Sequence, residues 1–354
     1  MNNTKYSFLP QNDTGRLSVE DTRKYFSRFF LSVFTFELVS FVLTYGLIFI
    51  AAAVIHATAP SLVDNADFVS LLENGVQFLS LYGISIPAFL AVSSILPTVR
   101  PDKVKMGFGK WLVGLCICML LMTAGGYASN ILVTIIDMIS GGALTNPVED
   151  MISETSLWVD ILIIVILAPI LEELLFRKIL CNKLLALGEG VAVVVGGIIF
   201  GLAHGNFFQM PYALLVGFML SFIYVKTGKI IYTIGYHMVL NFIGSVVAPW
   251  VIESVDLERL DTLLAEMNPN IDELADMLVS MVPLFLYEMV VMGLSVVGLV
   301  FLIFAIVKKQ IRFESGIIPP AKEKLFMNSV CTVGAAALVT VYVIYFVISI
   351  IPVN

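Results

Sequence analysis

Long runs of apolar side chains recur along this 354-residue chain, and they restrict its fold more than any other feature. Hydrophobic residues make up 59% of the sequence and charged residues 13%, whereas a soluble domain carries about 25% charged residues. A run of about 20 apolar residues can cross a bilayer as a helix. The sequence therefore predicts an all-α polytopic membrane protein with about nine transmembrane helices, at residues 29–55, 75–97, 111–139, 157–176, 190–206, 211–226, 230–251, 279–307 and 327–352.

The predicted helices divide the chain into five parts. Residues 1–28 are basic and precede the first apolar run, which indicates a cytosolic lead-in rather than a cleaved signal. Three membrane helices follow within 29–139, then a core within 155–250, an acidic segment at 253–278 and two C-terminal helices within 279–354. Leu and Met residues recur at helical spacing in the acidic segment, so we predict an amphipathic helix at the outer interface.

The basic side chains indicate how the chain is oriented in a plasma membrane. Every Lys and Arg except Arg259 lies in alternate connecting segments, which are the N-terminus and the segments near 98–110, 177–189, 226–229 and 308–326. Segments rich in Lys and Arg stay in the cytosol by the positive-inside rule. We therefore expect a cytosolic N-terminus and an extracytoplasmic C-terminus.

Several classes of function find no support in the sequence. It contains no phosphate-binding loop, no internal repeat and no basic-aromatic surface for nucleic acid. The four cysteines lie in apolar spans or beside basic residues, so no disulfide framework is expected. Cys116 and Cys118 point to different faces of one helix, which favours helix packing over metal binding.

Three polar motifs interrupt the apolar helices of the core. Charged side chains at the bilayer centre cost about 3 kcal/mol or more, so such residues are functional candidates. Four residues apart on one helix, Glu173 and Arg177 can pair, whereas Glu172 is rotated by about 100° toward another neighbour. The motifs are Glu172-Glu173-Leu-Leu-Phe-Arg177, Phe200-Gly-Leu-Ala-His204 and His237-Met-Val-Leu-Asn241.

These residue types fit the hydrolysis of a peptide bond. A carboxylate can take a proton from water, and His and Asn can donate to a developing oxyanion. The spacing does not decide which of the two carboxylates is the base. The same side chains could instead hold Zn²⁺ through Glu172, His204 and His237 with one open position, although the helical HExxH arrangement of many zinc proteases is absent.

The ordered motifs resemble the CPBP family of intramembrane endopeptidases. That family includes the type II CAAX prenyl proteases and bacterial proteins linked to bacteriocin processing or self-immunity. Its pattern reads EExxxR, then FxxxH, then HxxxN or HxxxD, and residues 155–250 match every fixed position. The resemblance implies that Glu172 activates the attacking water with help from Glu173 and Arg177.

The resemblance also assigns roles to the remaining polar residues. His204 would position water or substrate, and His237 with Asn241 would stabilise the oxyanion. The implied partners are the lipid bilayer and a peptide or membrane-anchored protein substrate, with no nucleic acid. No cofactor is favoured, and zinc is the alternative.

One geometric condition concerns the depth of His204. From the rise of a helix, this residue would lie nearer the outer face than Glu172 and His237. The three converge if the fifth helix starts well outside the cytosolic face, or if residues 204–211 turn within the membrane. The sequence of residues 205–211 suits such a turn where protein or water covers it.

Two other functions use the same residues. A transporter could use the Glu and His side chains as a proton relay, and a non-catalytic immunity or scaffold protein could retain the pocket. Single acids outside the motifs are predicted to be interhelical hydrogen-bond partners or interface residues. They are Glu37, Asp137, Asp160 and Glu288.

Overall fold

The computed structural model describes residues 15–140, 144, 146, 156–255, 259, 262 and 271–350. This part of the chain is built from helices and contains no β-strand beyond one isolated bridge between Gly188 and Ser315. The helices are α1 Val19–Thr58, α2 Ala66–Val92, α3 Phe108–Ser140, α4 at 157–184, α5 Glu189–Leu202, α6 Met210–Thr227, α7 Ile230–Glu253, α8 Ile271–Ser280, α9 Val282–Val307, α10 Leu325–Val330 and α11 Val333–Ile348.

Each of the predicted spans overlaps a helix, which confirms the all-α polytopic architecture. In the described part of the chain, six helices are long and apolar enough to cross a membrane, namely α1, α2, α3, α6, α7 and α9. Two more, α5 and α11, are apolar but shorter, and α4 alternates between α-helical and wider turns. The predicted amphipathic segment at 253–278 lies largely outside the described residues, apart from its last part in α8.

Prolines inside three helices coincide with a change in helix geometry. A proline donates no backbone hydrogen bond, and its ring clashes with the carbonyl four residues earlier. The turns just before each proline are widened to π-helical geometry, which frequently marks functional sites. The widened stretches are Leu79–Ser85 before Pro87, Ile161–Leu167 before Pro169 and Ile243–Val247 before Pro249.

Glycines allow the two central helices of the core to approach closely. A Cβ atom added at Gly197 of α5 would lie 2.1 Å from Phe218 Cδ1 of α6. A Cβ atom added at Gly201 would lie 2.8 Å from Leu214 Cα. Small residues permit such contacts between membrane helices, so the backbones of α5 and α6 lie close together.

The first and last long helices pack beside this core. Helix α1 begins at Val19, where the Ser18 hydroxyl accepts a hydrogen bond of 3.0 Å from the Asp21 amide, as an N-cap residue does. Farther along α1, Glu37 accepts a hydrogen bond of 3.0 Å from the Tyr342 hydroxyl of α11. Glu37 is thus an interhelical hydrogen-bond partner, as predicted.

Candidate active site

One cavity lies between the core helices and the first two helices of the chain. Its volume is about 790 Å³, and residues of α1, α2, α4, α5, α6 and α7 line it. Glu173 and Arg177 lie behind its wall, because both side chains are 0% exposed. The other predicted site residues line the cavity, namely Glu172, His204, His237 and Asn241. The three motifs therefore converge in space.

The two adjacent carboxylates have different surroundings. The side chain of Glu172 is 24% exposed, whereas that of Glu173 is 0% exposed. Successive side chains of a helix are about 100° apart, so one carboxylate can face the cavity while its neighbour points into the protein. Only Glu172 is therefore open to a water or substrate that enters the cavity.

The buried carboxylate is held by a charge from its own helix. Arg177 Nε lies 3.0 Å from Glu173 Oε2, which is the pairing predicted from their spacing. The Arg177 guanidinium also lies 4.6 Å from the centroid of the Phe200 ring, within the range of a cation–π contact. Its Nη1 and Nη2 atoms find no hydrogen-bond acceptor among the described residues. Phe200, the first residue of the second motif, thus supports the first motif.

His237 connects both carboxylates. Its Nδ1 lies 3.2 Å from Glu173 Oε1, and its Nε2 lies 3.9 Å from Glu172 Oε2. A carboxylate can only accept hydrogen bonds, so Nδ1 is the donor to Glu173. This contact fixes the ring and turns Nε2 toward Glu172. The buried Glu173 thereby orients His237, as a partner on the second nitrogen commonly does.

His204 stands at the start of the turn between α5 and α6. Helix α5 ends at Leu202, and Gly205 has a φ of +65°, a conformation that glycine adopts readily. The Asn206 amide donates 2.8 Å to the His204 carbonyl and 2.7 Å to Gln209 Oε1. The predicted turn after His204 is therefore present and is fixed by its own side chains.

The His204 ring is oriented by its own helix. Its Nδ1 lies 2.8 Å from the Phe200 carbonyl oxygen, which can only accept, so Nδ1 is the donor. Nε2 is then the nitrogen available to the cavity. The Phe200 ring contacts both imidazoles edge-on, with centroid distances of 5.1 Å to His204 and 5.6 Å to His237.

Asn241 has a structural contact as well as a place in the cavity wall. Its Nδ2 donates a hydrogen bond of 2.9 Å to the carbonyl of Ile164. Ile164 belongs to the widened stretch of α4 before Pro169, so this bond ties α7 to α4. An amide nitrogen carries two hydrogens, which leaves one for a ligand.

Sequence reasoning missed Thr233. This residue lies four positions before His237 on α7, its side chain is buried, and its hydroxyl, which donates a hydrogen bond of 3.0 Å to the Ile230 carbonyl, lies close to Glu173. The repeat of polar residues at 233, 237 and 241 was the available signal, since positions four apart share a helix face. Thr233 is therefore part of the surroundings of the buried carboxylate.

The three alternative zinc ligands, Glu172, His204 and His237, line the same cavity. Among the described residues, no group of three or more His, Cys, Asp and Glu side chains is arranged to hold a metal ion. His237 turns Nε2 toward Glu172, another of the three alternative ligands, and directs Nδ1 at Glu173, as a zinc-bound histidine commonly directs its second nitrogen at a carboxylate. Zinc bound by these three residues therefore stays the alternative.

Comparison with known proteins finds one family and two relatives that are similar to this chain. Residues 154–243 match the family described as Type II CAAX prenyl endopeptidase Rce1-like. The chain is 26% identical over 136 residues to UPF0177 protein YxdF of Lactococcus lactis, which is 38% of this chain and 73% of that protein. It is 34% identical over 83 residues to the membrane-embedded CAAX protease MroQ of Staphylococcus aureus, which is 22% of this chain and 34% of that protein.

No solved structure matches this chain. The family match covers all three motifs, from Glu172 to Asn241. Both this match and the similarity to MroQ agree with the resemblance drawn from the motifs. In the helices that carry those motifs, the chain is therefore similar to the CPBP family.

Proposed function

We propose that this protein is an intramembrane endopeptidase that hydrolyses a peptide bond of a peptide or membrane-associated protein. One observation carries the proposal. Glu172 faces a cavity beside His237, while the adjacent Glu173 is fully buried against Arg177. The family match and the name of the relative MroQ support a protease.

Glu172 is the general base of the proposed reaction. Its Oε2 and His237 Nε2 are 3.9 Å apart, so one water can lie within hydrogen-bond distance of both atoms. Glu172 removes a proton as the water oxygen attacks the scissile carbonyl carbon, and it then returns the proton to the leaving amine. A general base positioned in this way accelerates a reaction by about 10²–10⁴.

His237 and Asn241 stabilise the oxyanion that the attack produces. Protonated His237 donates from Nε2, and its positive charge balances the second of the two carboxylates. The Asn241 amide donates its remaining hydrogen, and His204 positions water or substrate through Nε2. Loss of one oxyanion donor lowers kcat by about 10²–10³ in a well-studied protease.

The proposed reaction needs no metal ion. Its base, its oxyanion donors and its buried ion pair are all side chains of this chain. Zinc bound by Glu172, His204 and His237 is the alternative, in which His237 would keep its contact with Glu173 through Nδ1. We also propose the orientation predicted from the basic residues, with a cytosolic N-terminus and an extracytoplasmic C-terminus.

Cleavage of a quenched fluorescent peptide library by detergent-purified protein tests the proposal. We expect the wild type to cleave, and Glu172→Ala and His237→Ala to lose activity with or without a strong zinc chelator. Glu288→Gln is the matched control, because Glu288 is exposed on α9 and does not line the cavity. Activity lost on chelation and restored by Zn²⁺ would replace the base mechanism with a metal mechanism. No cleavage by folded wild type would favour a transporter or an immunity scaffold.

A further inference from the structure

The cavity has a second polar wall outside the three motifs. Helices α1 and α2 contribute this wall, and neither helix is within residues 154–243 that match the family. Its polar members are Glu37, Tyr45, Asn74, Gln77 and Tyr82. Substrate that reaches Glu172 must therefore lie against side chains that the family match does not include.

Glu37 is the charged member of this wall, and its carboxylate is fixed in position. Tyr342 donates to its Oε1 at 3.0 Å, and the Tyr345 hydroxyl lies 3.5 Å from its Oε2 and 3.2 Å from its carbonyl oxygen. Both phenols belong to α11. The residue is 5% exposed. A carboxylate has about four acceptor sites, so these contacts leave it able to accept from a further donor.

The charges around the cavity do not balance. Glu37 and Glu172 are its two acidic lining residues, and no described residue that lines it is Lys or Arg. Arg177 is engaged behind the wall with Glu173. No ion pair joins Glu37 to any described Lys or Arg. A carboxylate in low dielectric is costly without a partner charge, and phenols supply hydrogen bonds but no charge.

We propose that Glu37 is a specificity residue that binds a cationic group of the substrate, either a Lys or Arg side chain or a free N-terminal amine. The proposal rests on the endopeptidase function proposed above and names a feature of its substrate. A cation entering the cavity supplies the counter-charge that Glu37 lacks. Low-dielectric walls strengthen this attraction, and a cavity with a net negative charge concentrates ligands of the opposite sign.

Glu37 could instead serve only to fasten α1 to α11. Glu37→Gln separates the two roles, because Gln keeps a carbonyl oxygen that accepts from Tyr342 while the charge is removed. Glu37→Met is a second variant, in which an apolar side chain of similar length replaces the carboxylate. It shows whether the loss of charge has the same effect when the site is packed differently. Tyr342→Phe removes a hydrogen bond to Glu37 and keeps its charge, so it should keep any preference for cations.

The experiment measures binding independently of cleavage. Full-length protein carrying Glu172→Gln is titrated with fluorescein-labelled apolar decapeptides that differ only in Lys or norleucine at one position. A second peptide pair differs in a free or an acetylated N-terminus, which distinguishes a side-chain ammonium from a terminal amine. The same titrations are made with Glu37→Gln, Glu37→Met, Tyr342→Phe or Glu288→Gln added.

We expect one cationic peptide to bind at least about tenfold more tightly than its uncharged twin, or about 1.4 kcal/mol. Glu37→Gln and Glu37→Met should reduce this ratio to about twofold or less, while Tyr342→Phe and Glu288→Gln keep it. A ratio that survives in the Glu37 variants, or no preference in any peptide pair, would overturn the proposal. A preference that depends on Glu37 in a protein whose wild type cleaves nothing would refute the endopeptidase function and leave the cation site standing.

Discussion

The core helices and the flanking helices hold their buried carboxylates in different ways. In the core, Glu173 is held by the charge of Arg177 one turn away and by His237 of α7. In the flank, Glu37 is held by neutral phenols of α11, about 300 residues along the chain. A carboxylate that is paired with a cation of the same chain can hold catalytic side chains in place permanently. A carboxylate without such a cation is suited to bind a ligand that carries a positive charge. This difference agrees with the two proposals, in which the core performs the reaction and the flank selects the substrate.

The largest expected effect concerns the ion pair of the core. Arg177→Met keeps an apolar side chain beside Phe200 but leaves the Glu173 carboxylate without its guanidinium. Breaking a buried pair by removing one partner costs about 3–5 kcal/mol. Thermal unfolding in detergent should show a correspondingly large loss of stability.

Lys226→Met is the matched control for this prediction. It breaks the ion pair of Lys226 with Glu189, whose side chains are 30% and 13% exposed. Partly solvated pairs contribute about 1 kcal/mol or less. Equal losses of stability in Arg177→Met and Lys226→Met would show that the buried ion pair contributes no more to stability than the partly solvated one.

A smaller effect is expected from the close contact of α5 with α6. In Gly201→Ala the added Cβ atom would lie 2.6 Å from Leu214 Cβ, so the helices must separate. Overpacking of this kind costs about 1–3 kcal/mol. Activity should also fall, because a shift of α5 displaces His204, which lies three residues after Gly201. Gly126→Ala on α3 is the control, since nothing lies within 4 Å of its added Cβ. A larger loss of stability in Gly126→Ala than in Gly201→Ala would contradict the conclusion that α5 and α6 are tightly packed.

The smallest effect is expected in the flank. Tyr342→Phe removes the hydroxyl that donates to Glu37, while Tyr345 remains. Hydrogen bonds between membrane helices contribute about 0.6 kcal/mol on average, so the free energy of unfolding should fall by about 1 kcal/mol or less. A loss as large as that of Arg177→Met would remove the distinction between core and flank.

The sequence was sufficient to predict much of the core. Local spacing along single helices predicted the pairing of Glu173 with Arg177, the different directions of Glu172 and Glu173, and the turn after His204. These features depend on helix periodicity and on glycine, which a single sequence displays. The hydropathy of the chain likewise predicted nine spans, and each of them overlaps a helix of the structure.

The flank could not be predicted in the same way. The contact of Glu37 with Tyr342 joins the first long helix to the last, and no local pattern links residues so far apart. Thr233 was missed for a different reason, because a buried Thr in an apolar helix is ordinary. The hydrogen bond from Asn241 to Ile164 depends on the widened turn before Pro169, which frees a carbonyl that a regular helix would use.

The most direct test of the account compares the two adjacent carboxylates, Glu172→Gln and Glu173→Gln, in peptide cleavage and thermal unfolding side by side. Glu172→Gln should lower the cleavage rate by about 10²–10⁴ and the free energy of unfolding by about 1 kcal/mol or less. Glu173→Gln should lower the free energy of unfolding by about 3 kcal/mol or more, because Arg177 is left buried without its partner. Full activity in Glu172→Gln, or equal losses of stability in the two variants, would contradict the assignment of Glu172 as the base and of Glu173 as the buried partner of Arg177.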